Sequence, residues 1–392
     1  YLAWLIHKFT FLFSVGARHA APETFFPIRG KIRLGRKLPT SLVSFLIPVY
    51  NAHATVVRAL ESVLGQRRAG ELEAVVVDDG STDGTLELLE KLSSRENRVR
   101  LVAVEHRGLV EALITGQRLC RGEFIARMDS DDLAHPDRFR EQLALISRDP
   151  RLGVVGAQVR YFPRRSLRAG LLHYESWLNS LLEGSRSDAP AEKIEAACRR
   201  IEREIFVECP LAHPTFLIRR SAFEQVGGYR EFQGLPEDYD LLLRLAGKGW
   251  RLGGVGKVLH HWREHPGRTS RIDPRYIADS FRRLKLNHLL SLKLEGGALP
   301  VSICGAGPVG KAWLKDLQAA GVEVRFLIEV NPRRIGKKIH GVPVISAEQL
   351  ASLDRSAGLI LGAVGQKGAR ENIRLSLGPL GYREGEDYLF VA

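Results

Sequence analysis

The sequence predicts an α/β chain: a mostly parallel sheet with helices on both faces, followed by a second α/β unit. Three observations predict it. Apolar runs and helically spaced segments alternate from about residue 41 to residue 128. Carboxylates and turn residues gather where those apolar runs end, and in open parallel sheets ligands bind beyond the carboxyl ends of the strands. A second alternation, with its own Gly-rich turn, begins near Leu299.

The elements follow in order. VSFLIPVYN, after Ser41, reads as a strand closed by Pro48 and Asn51. Ala54 to Leu64 has helical spacing through Val56, Val57, Leu60, Val63 and Leu64. Leu72 to Val77 is a Val-rich run, the pattern of a buried parallel strand. It ends in DDGSTDGT, where Ser81 and Thr82 are expected to cap a helix from Thr85 to Leu92. Val99 to Val104, Leu109 to Leu119 and Glu123 to Met128 continue as strand, helix and strand. Arg164 to Ile205 reads as charged and largely helical, and Asp273 to Leu294 as a helical linker. The expected division is an apolar and basic segment at 1–40, a first unit at 41–272, a linker at 273–297 and a second unit at 298–392.

Composition narrows the function. Apolar residues make up 44%, enough for packed cores rather than disorder. With 58 Lys and Arg against 45 Asp and Glu, the formal charge of +13 favours anionic partners. No zinc-finger, RNA-binding-sheet or basic-zipper pattern occurs, so nucleic acid is not an expected partner. The 4 Cys form no C-x-x-C pair and imply no disulfide framework, which fits a reducing cytoplasm. Tyr1 to Val15 is apolar and aromatic but too short to span a bilayer. It is expected either to lie in a membrane interface or to pack as a terminal helix.

The most informative stretch is FIARMDSDDLAHPDRF, Phe124 to Phe139. Three carboxylates, Asp129, Asp131 and Asp132, crowd the end of a strand. Their repulsion is costly unless a divalent cation sits among them. A hard cation held by few carboxylates takes its other ligands from phosphate and water. The expected chemistry is therefore group transfer from a phosphate leaving group.

Seven segments carry a resemblance: IPVYN, VVVDDGSTDGT, ARMDSDDLAHPDR, HPTFLIRR, GGYRE, PEDYDLLLRL and WREHPGRTS. Together they resemble a family 2 glycosyltransferase with the GT-A fold. The resemblance implies that Pro48, Tyr50 and Asn51 shape a base pocket, with Asp78 and Asp79 meeting uracil or ribose. It implies that Asp129 and Asp131, the D-x-D pair, contact ribose and ligate Mg²⁺ or Mn²⁺ at the diphosphate, and that Asp132 orients them. Asp238, with its neighbour Glu237, would be the general base. A late His can complete the metal shell and a late Arg can hold the diphosphate. The spacing does not decide between His261 and His265; His261 is put forward as ligand, and Arg263 as the diphosphate contact. One departure is Ile114, which stands where similar enzymes carry Asn.

The implied reaction is inverting transfer from a nucleotide-diphospho-sugar, with UDP expected, to a saccharide or lipid-linked acceptor in cell-envelope or polysaccharide biosynthesis. The implied place is the cytoplasm, peripheral at the inner face of the plasma membrane. In the second unit, Gly305, Gly307 and Gly310 form G-x-G-x-x-G, and Glu329 ends the following strand. That arrangement resembles appended Rossmann-like domains and could bind NAD(P). Two alternatives follow: an NAD(P)-linked enzyme modifying sugar nucleotides, or a non-catalytic saccharide-binding relative.

Overall fold

A computed structural model describes residues 43–67, 71–352, 358–366 and 368–392. The expected N-terminal segment, residues 1–40, and its membrane contact lie outside the described residues. Among the described residues, no helix is long and apolar enough to cross a membrane.

The first half is built as the alternation requires. Strands β1 (Val43–Val49), β2 (Leu72–Asp79), β3 (Val99–Val104) and β4 (Phe124–Arg127) are joined by helices α1 (Val56–Leu64), α2 (Thr85–Ser93) and α3 (Leu109–Gln117). β1 lies between β2 and β4, parallel to both. Every residue of β1 and β2 is buried, because helices cover both faces of the sheet. The expected caps of α2 differ. Gly84, in the left-handed region at φ 84°, is its N-cap, while Ser81 and Thr82 bond Asn51 instead.

The next elements are β5 (Leu133–Ala134), α4 (Arg138–Ile146), β6 (Leu152–Phe162), α5 (Ala169–Ser180) and α6 (Ala191–Glu204). Then come β7 (Leu217–Arg219), α7 (Arg220–Gln225), α8 (Glu237–Gly247) and β8 (Arg251–Arg263). The eight strands lie in the order β3-β2-β1-β4-β7-β6-β8-β5. β7 runs antiparallel to both β4 and β6, and β5 antiparallel to β8. The pairing of Leu133 with His261 and Ala134 with His260 brings the acidic turn that follows β4 against the end of β8.

After the short α9 (Thr269–Ile272), the 16-residue α10 (Ala278–Lys293) leads to a second sheet. Its strands and helices are β9 (Val301–Cys304), α11 (Pro308–Ala319), β10 (Val324–Ile328), β11 (Lys338–Ile339), β12 (Val342–Ile345), α12 (Ala347–Ala351), β13 (Leu359–Gly362), α13 (Ala369–Leu377) and β14 (Tyr388–Phe390). The order is β11-β12-β10-β9-β13-β14, parallel except for the β11–β12 pair.

α10 ties the two sheets together. Its Lys285 Nζ donates to the carbonyl oxygens of Val207 (3.1 Å) and Val391 (2.7 Å). Burial pulls the Lys285 amine down to about 8. One turn away, His288 Nε2 lies 2.9 Å from Asp240 Oδ1 on α8. Asp240 is fully buried and also accepts from Arg230 and Arg244. Burial opposes its charge, yet hydrogen bonds from His288 and Arg230, with Arg244 beside them, hold its carboxyl well below the usual range. Removing one member of such a buried network strands the others. Asp240→Ala is expected to lower stability by about 3–5 kcal/mol, measured by urea unfolding; a loss under about 1 kcal/mol would show that the network does not anchor α10 to α8.

Candidate active site

The ends of β1, β2 and β4, the start of α8 and the chain after β8 surround one cleft of about 1010 Å³. At its first wall, Asn51 sits in the left-handed region at φ 47°, which Asn tolerates better than most residues. Its N–H donates to Ser81 Oγ (2.9 Å), and its Oδ1 accepts from Thr82 N–H (2.8 Å). These bonds lock the PVYN turn to the DDGS turn. Gly80 stands at φ 71°, and a Cβ there would lie 2.8 Å from His106 N. Glycine thus lets the two loops meet. The Asp79 oxygens accept from the N–H groups of Arg107 and Gly108, each at 2.9 Å. Asp78 lies buried beneath the turn, with Oδ2 on Ser81 N–H at 3.1 Å. Pro48, Tyr50 and Asn51 line the cleft, and the Tyr50 ring stacks on His106 at 4.0 Å.

The second wall is the acidic turn. One oxygen from each of Asp129, Asp131 and Asp132 falls within a cluster no more than 4.8 Å across. Asp129 pairs with Arg127, and Asp131 Oδ2 lies 3.1 Å from His265 Nε2. Asp132 is buried, with its oxygens on His260 Nε2 (2.8 Å) and Arg263 N–H (2.6 Å). Burial, with Asp132 and Asp129 beside it, raises the Asp131 carboxyl to about 7. Burial and Asp129 push Asp132 up as well. Clustered acids that resist ionisation together are what a hard divalent cation relieves. Asp129 and Asp131, which line the cleft, could hold one.

The expected His261 does not join this group. Along β8 alternate residues face opposite ways. His260 turns to buried Asp132, whereas the His261 ring lies edge-on to Phe162, 6.4 Å between centroids. The histidine that reaches Asp131 is His265, past the strand end. Arg263 does line the cleft, but its Nε donates to the Asp131 carbonyl at 2.6 Å.

The third wall is the start of α8. Glu237 is buried beneath the surface, and both its oxygens lie 2.8 Å from Tyr276 Oη. Asp238 lines the cleft and accepts from Tyr239 N–H at 2.7 Å. Burial, then the neighbouring Glu237, raises the Asp238 carboxyl to about 7.

The family model described as "Glycosyl transferase family 2" matches residues 44–227, from β1 to the turn after α7. Residues 44–227 of the chain are thus a domain of this glycosyltransferase family. Over 128 residues it is 38% identical to chondroitin synthase of Escherichia coli, covering 31% of this chain and 18% of the synthase. It therefore spans under a fifth of that relative's length. An uncharacterized glycosyltransferase of Haemophilus influenzae (strain ATCC 51907 / DSM 11121 / KW20 / Rd) is 28% identical over 212 residues, 54% of this chain and 71% of that one. Among solved structures, S. aureus TarS 1–349 in complex with UDP-GlcNAc superposes with a TM-score of 0.49 at 19% identity, covering 71% of this chain and 72% of that chain.

Several cleft residues of this glycosyltransferase escaped the sequence reading: Arg127, His106, Arg268 and Tyr276. Arg127 had a signal, a charge inside the apolar run before Asp129. His106 and Tyr276 had none, since only the fold brings them to the DDGS turn and to Glu237. In the second sheet, Gly310 packs so closely that a Cβ would lie 1.8 Å from Gly305 O. Glu329, expected at a ribose, is engaged by Ala306 N–H (3.3 Å), Val330 N–H (2.9 Å) and Arg334 Nη1 (2.9 Å).

If the acidic turn holds a cation, Mn²⁺ at about 100 times its dissociation constant should stabilise the fold by about 2.7 kcal/mol. Asp131→Asn should abolish that gain. Thermal unfolding with and without Mn²⁺ checks both, and an equal response of the variant and the wild type would count against the assignment.

Proposed function

We propose that the enzyme is an inverting, metal-dependent transferase that moves a sugar from a nucleotide-diphospho-sugar, with UDP as the nucleotide, to an acceptor hydroxyl. One observation carries this reading: Asp131 and Asp238 face the same cleft. An acidic cluster suited to a cation–diphosphate pair thus shares a cleft with a carboxylate suited to take a proton.

The nucleotide lies along the first wall. Asp79 Oδ2 meets Gly108 N–H and His106 Nδ1, while Oδ1 uses one lone pair on Arg107 N–H and keeps another for the N3–H of uracil. Tyr50 and His106 offer ring surface beside it. Asp129 and Asp131 would hold Mg²⁺ or Mn²⁺, which would supply neutralisation of charge on the leaving diphosphate. His265 orients Asp131, and Asp132 braces the turn through His260 and Arg263. Asp238 takes the acceptor proton as the acceptor oxygen bonds to the anomeric carbon. The anomeric C–O bond breaks, and its electron pair leaves with the nucleoside diphosphate. A single displacement inverts the anomeric centre. Glu237 is a positioning residue: its nearby charge keeps Asp238 basic.

The acceptor in this reading is a saccharide or a lipid-linked saccharide. The net charge of +13 suits work beside an anionic membrane face. In this reading the enzyme works in the cytoplasm, peripheral at the inner face of the plasma membrane, and the basic surface is what supports it.

Asp238→Asn should retain nucleotide-sugar binding while transfer falls by about 10²–10⁴-fold. Steady-state rates beside calorimetric binding test this, and near-wild-type turnover would reject the base assignment. A second outcome concerns pH. The base works only when deprotonated, and the Asp238 carboxyl is raised to about 7. The rate should therefore climb as pH rises through that value and level off above it. A kcat/KM profile already flat from pH 5 upward would contradict it.

A further inference from the structure

Glu237, at the start of α8, is only 1% exposed, and an unpaired charge in such a place is costly. The residue that meets it comes from the chain after β8. Tyr276 Oη lies 2.8 Å from Glu237 Oε1 and 2.8 Å from Oε2. An ionised carboxylate accepts at both oxygens, whereas a protonated one offers one donor and one acceptor. A phenol oxygen equidistant from the two therefore matches a hydroxyl donating into the fork of an ionised Glu237. The position of Tyr276 does not depend on that bond. Asp273 Oδ1 accepts from Arg275 N–H at 2.9 Å and fixes the turn Pro274–Tyr276. The Tyr276 ring also lies near that of Phe281 on α10, 6.5 Å between centroids.

No other side chain near Glu237 does the same work. Arg275 Nη1 stands 3.9 Å from Oε2 and makes no hydrogen bond among the described residues. His213 Nδ1 is 3.6 Å from Oε1, but burial holds that imidazole well below its usual range, so it is neutral. Burial drives the Glu237 carboxyl up, and its backbone N–H, the Tyr276 hydroxyl and Arg275 oppose that rise. Arg127 of β4 favours ionisation of both acids, and Glu208, after α6, opposes that of Asp238. Burial pushes Tyr174, Cys209, Tyr229 and Tyr239 up, so these groups carry no charge.

We infer that Tyr276 is a positioning residue for the transfer: its hydroxyl keeps Glu237 ionised, and that charge keeps the adjacent Asp238 basic enough to take the acceptor proton. This rests on the reading of Asp238 as the base. Without the hydroxyl, buried Glu237 takes up a proton and becomes neutral. Burial and the Glu237 charge together raise Asp238 to about 7, and the second influence is then gone. Its affinity for a proton falls. The rising limb of rate against pH moves to lower pH, and the plateau drops because the base is weaker.

The test reads nucleoside diphosphate released with water as acceptor, in Mn²⁺. The donor is whichever of UDP-glucose, UDP-N-acetylglucosamine, UDP-glucuronic acid and GDP-mannose wild type turns over fastest. In Tyr276→Phe the rising limb of kcat should lie roughly one pH unit lower and the plateau about three- to tenfold lower. Calorimetric binding of the free nucleoside diphosphate should stay within about twofold of wild type. Glu237→Gln should give the same shift, and adding Tyr276→Phe to it should give no further shift. A limb that stays in place in Tyr276→Phe overturns the inference. So does a further shift in the Glu237→Gln background, which would show that the hydroxyl acts by another route. If Tyr276→Phe does not fold, Glu237→Gln decides, since its amide oxygen still accepts from Tyr276: a lowered limb is expected, and an unmoved one overturns the inference. A wild-type profile with no rising limb would reject Asp238 as the base, a different outcome from a limb that the variants fail to move.

Discussion

The structure depends on how three aspartates are kept together at the end of one strand. Their oxygens converge within 4.8 Å, an arrangement that like charges oppose. Each acid has its own basic partner: Arg127 for Asp129, His265 for Asp131, His260 for Asp132. Two of the three partners come from β8 and the residues just after it, more than a hundred positions away in the chain. The β5–β8 pairing is what delivers them. The antiparallel strands added to the parallel half are thus not a mere extension of the sheet. They carry the groups that make the acidic turn tolerable, and they close one side of the cleft.

The second constraint falls on α8. Its first residues present Glu237 inward and Asp238 to the cleft, and Asp240 anchors its other side. Asp240 receives Arg230, Arg244 and His288, and His288 belongs to α10. The helix that bears the proposed base therefore packs on the helix that leads into the second sheet. Lys285 extends the same joint to the last strand through the Val391 carbonyl. Whatever the second sheet does, its packing bears on the position of Asp238.

Much of this was legible in the sequence because the relevant signals are local. The strands of the parallel half are continuous apolar runs, and the expected and observed limits of Val99–Val104 coincide. The acidic turn announces itself by composition, and Asp238 by its context. What was not legible depended on through-space pairing. Ser81 and Thr82 are sound N-cap residues, but Asn51 competes for them across 30 positions and wins. The choice between His261 and His265 turns on strand parity and on where β8 ends. Neither can be read from spacing alone. Glu329 stands where the Gly-rich pattern puts an acid, yet Arg334, five residues on, occupies it.

The same electrostatic accounting distinguishes the acids that line or underlie the cleft. Asp129 and Asp131 face cationic or imidazole groups. Asp79 is satisfied by two backbone N–H groups. Glu237 lies under the Tyr276 hydroxyl, with Arg275 Nη1 at 3.9 Å. Asp238 differs from all of them. Among the described residues its side chain accepts one hydrogen bond, from its neighbour Tyr239 N–H, and burial and Glu237 raise its affinity for a proton. A carboxylate that is solvated, ion-paired or metal-bound is a weak base, because its charge is already stabilised. Asp131 is raised to about 7 as well, but a cation at the acidic turn would take up that charge, which leaves Asp238 as the cleft carboxylate suited to receive a proton.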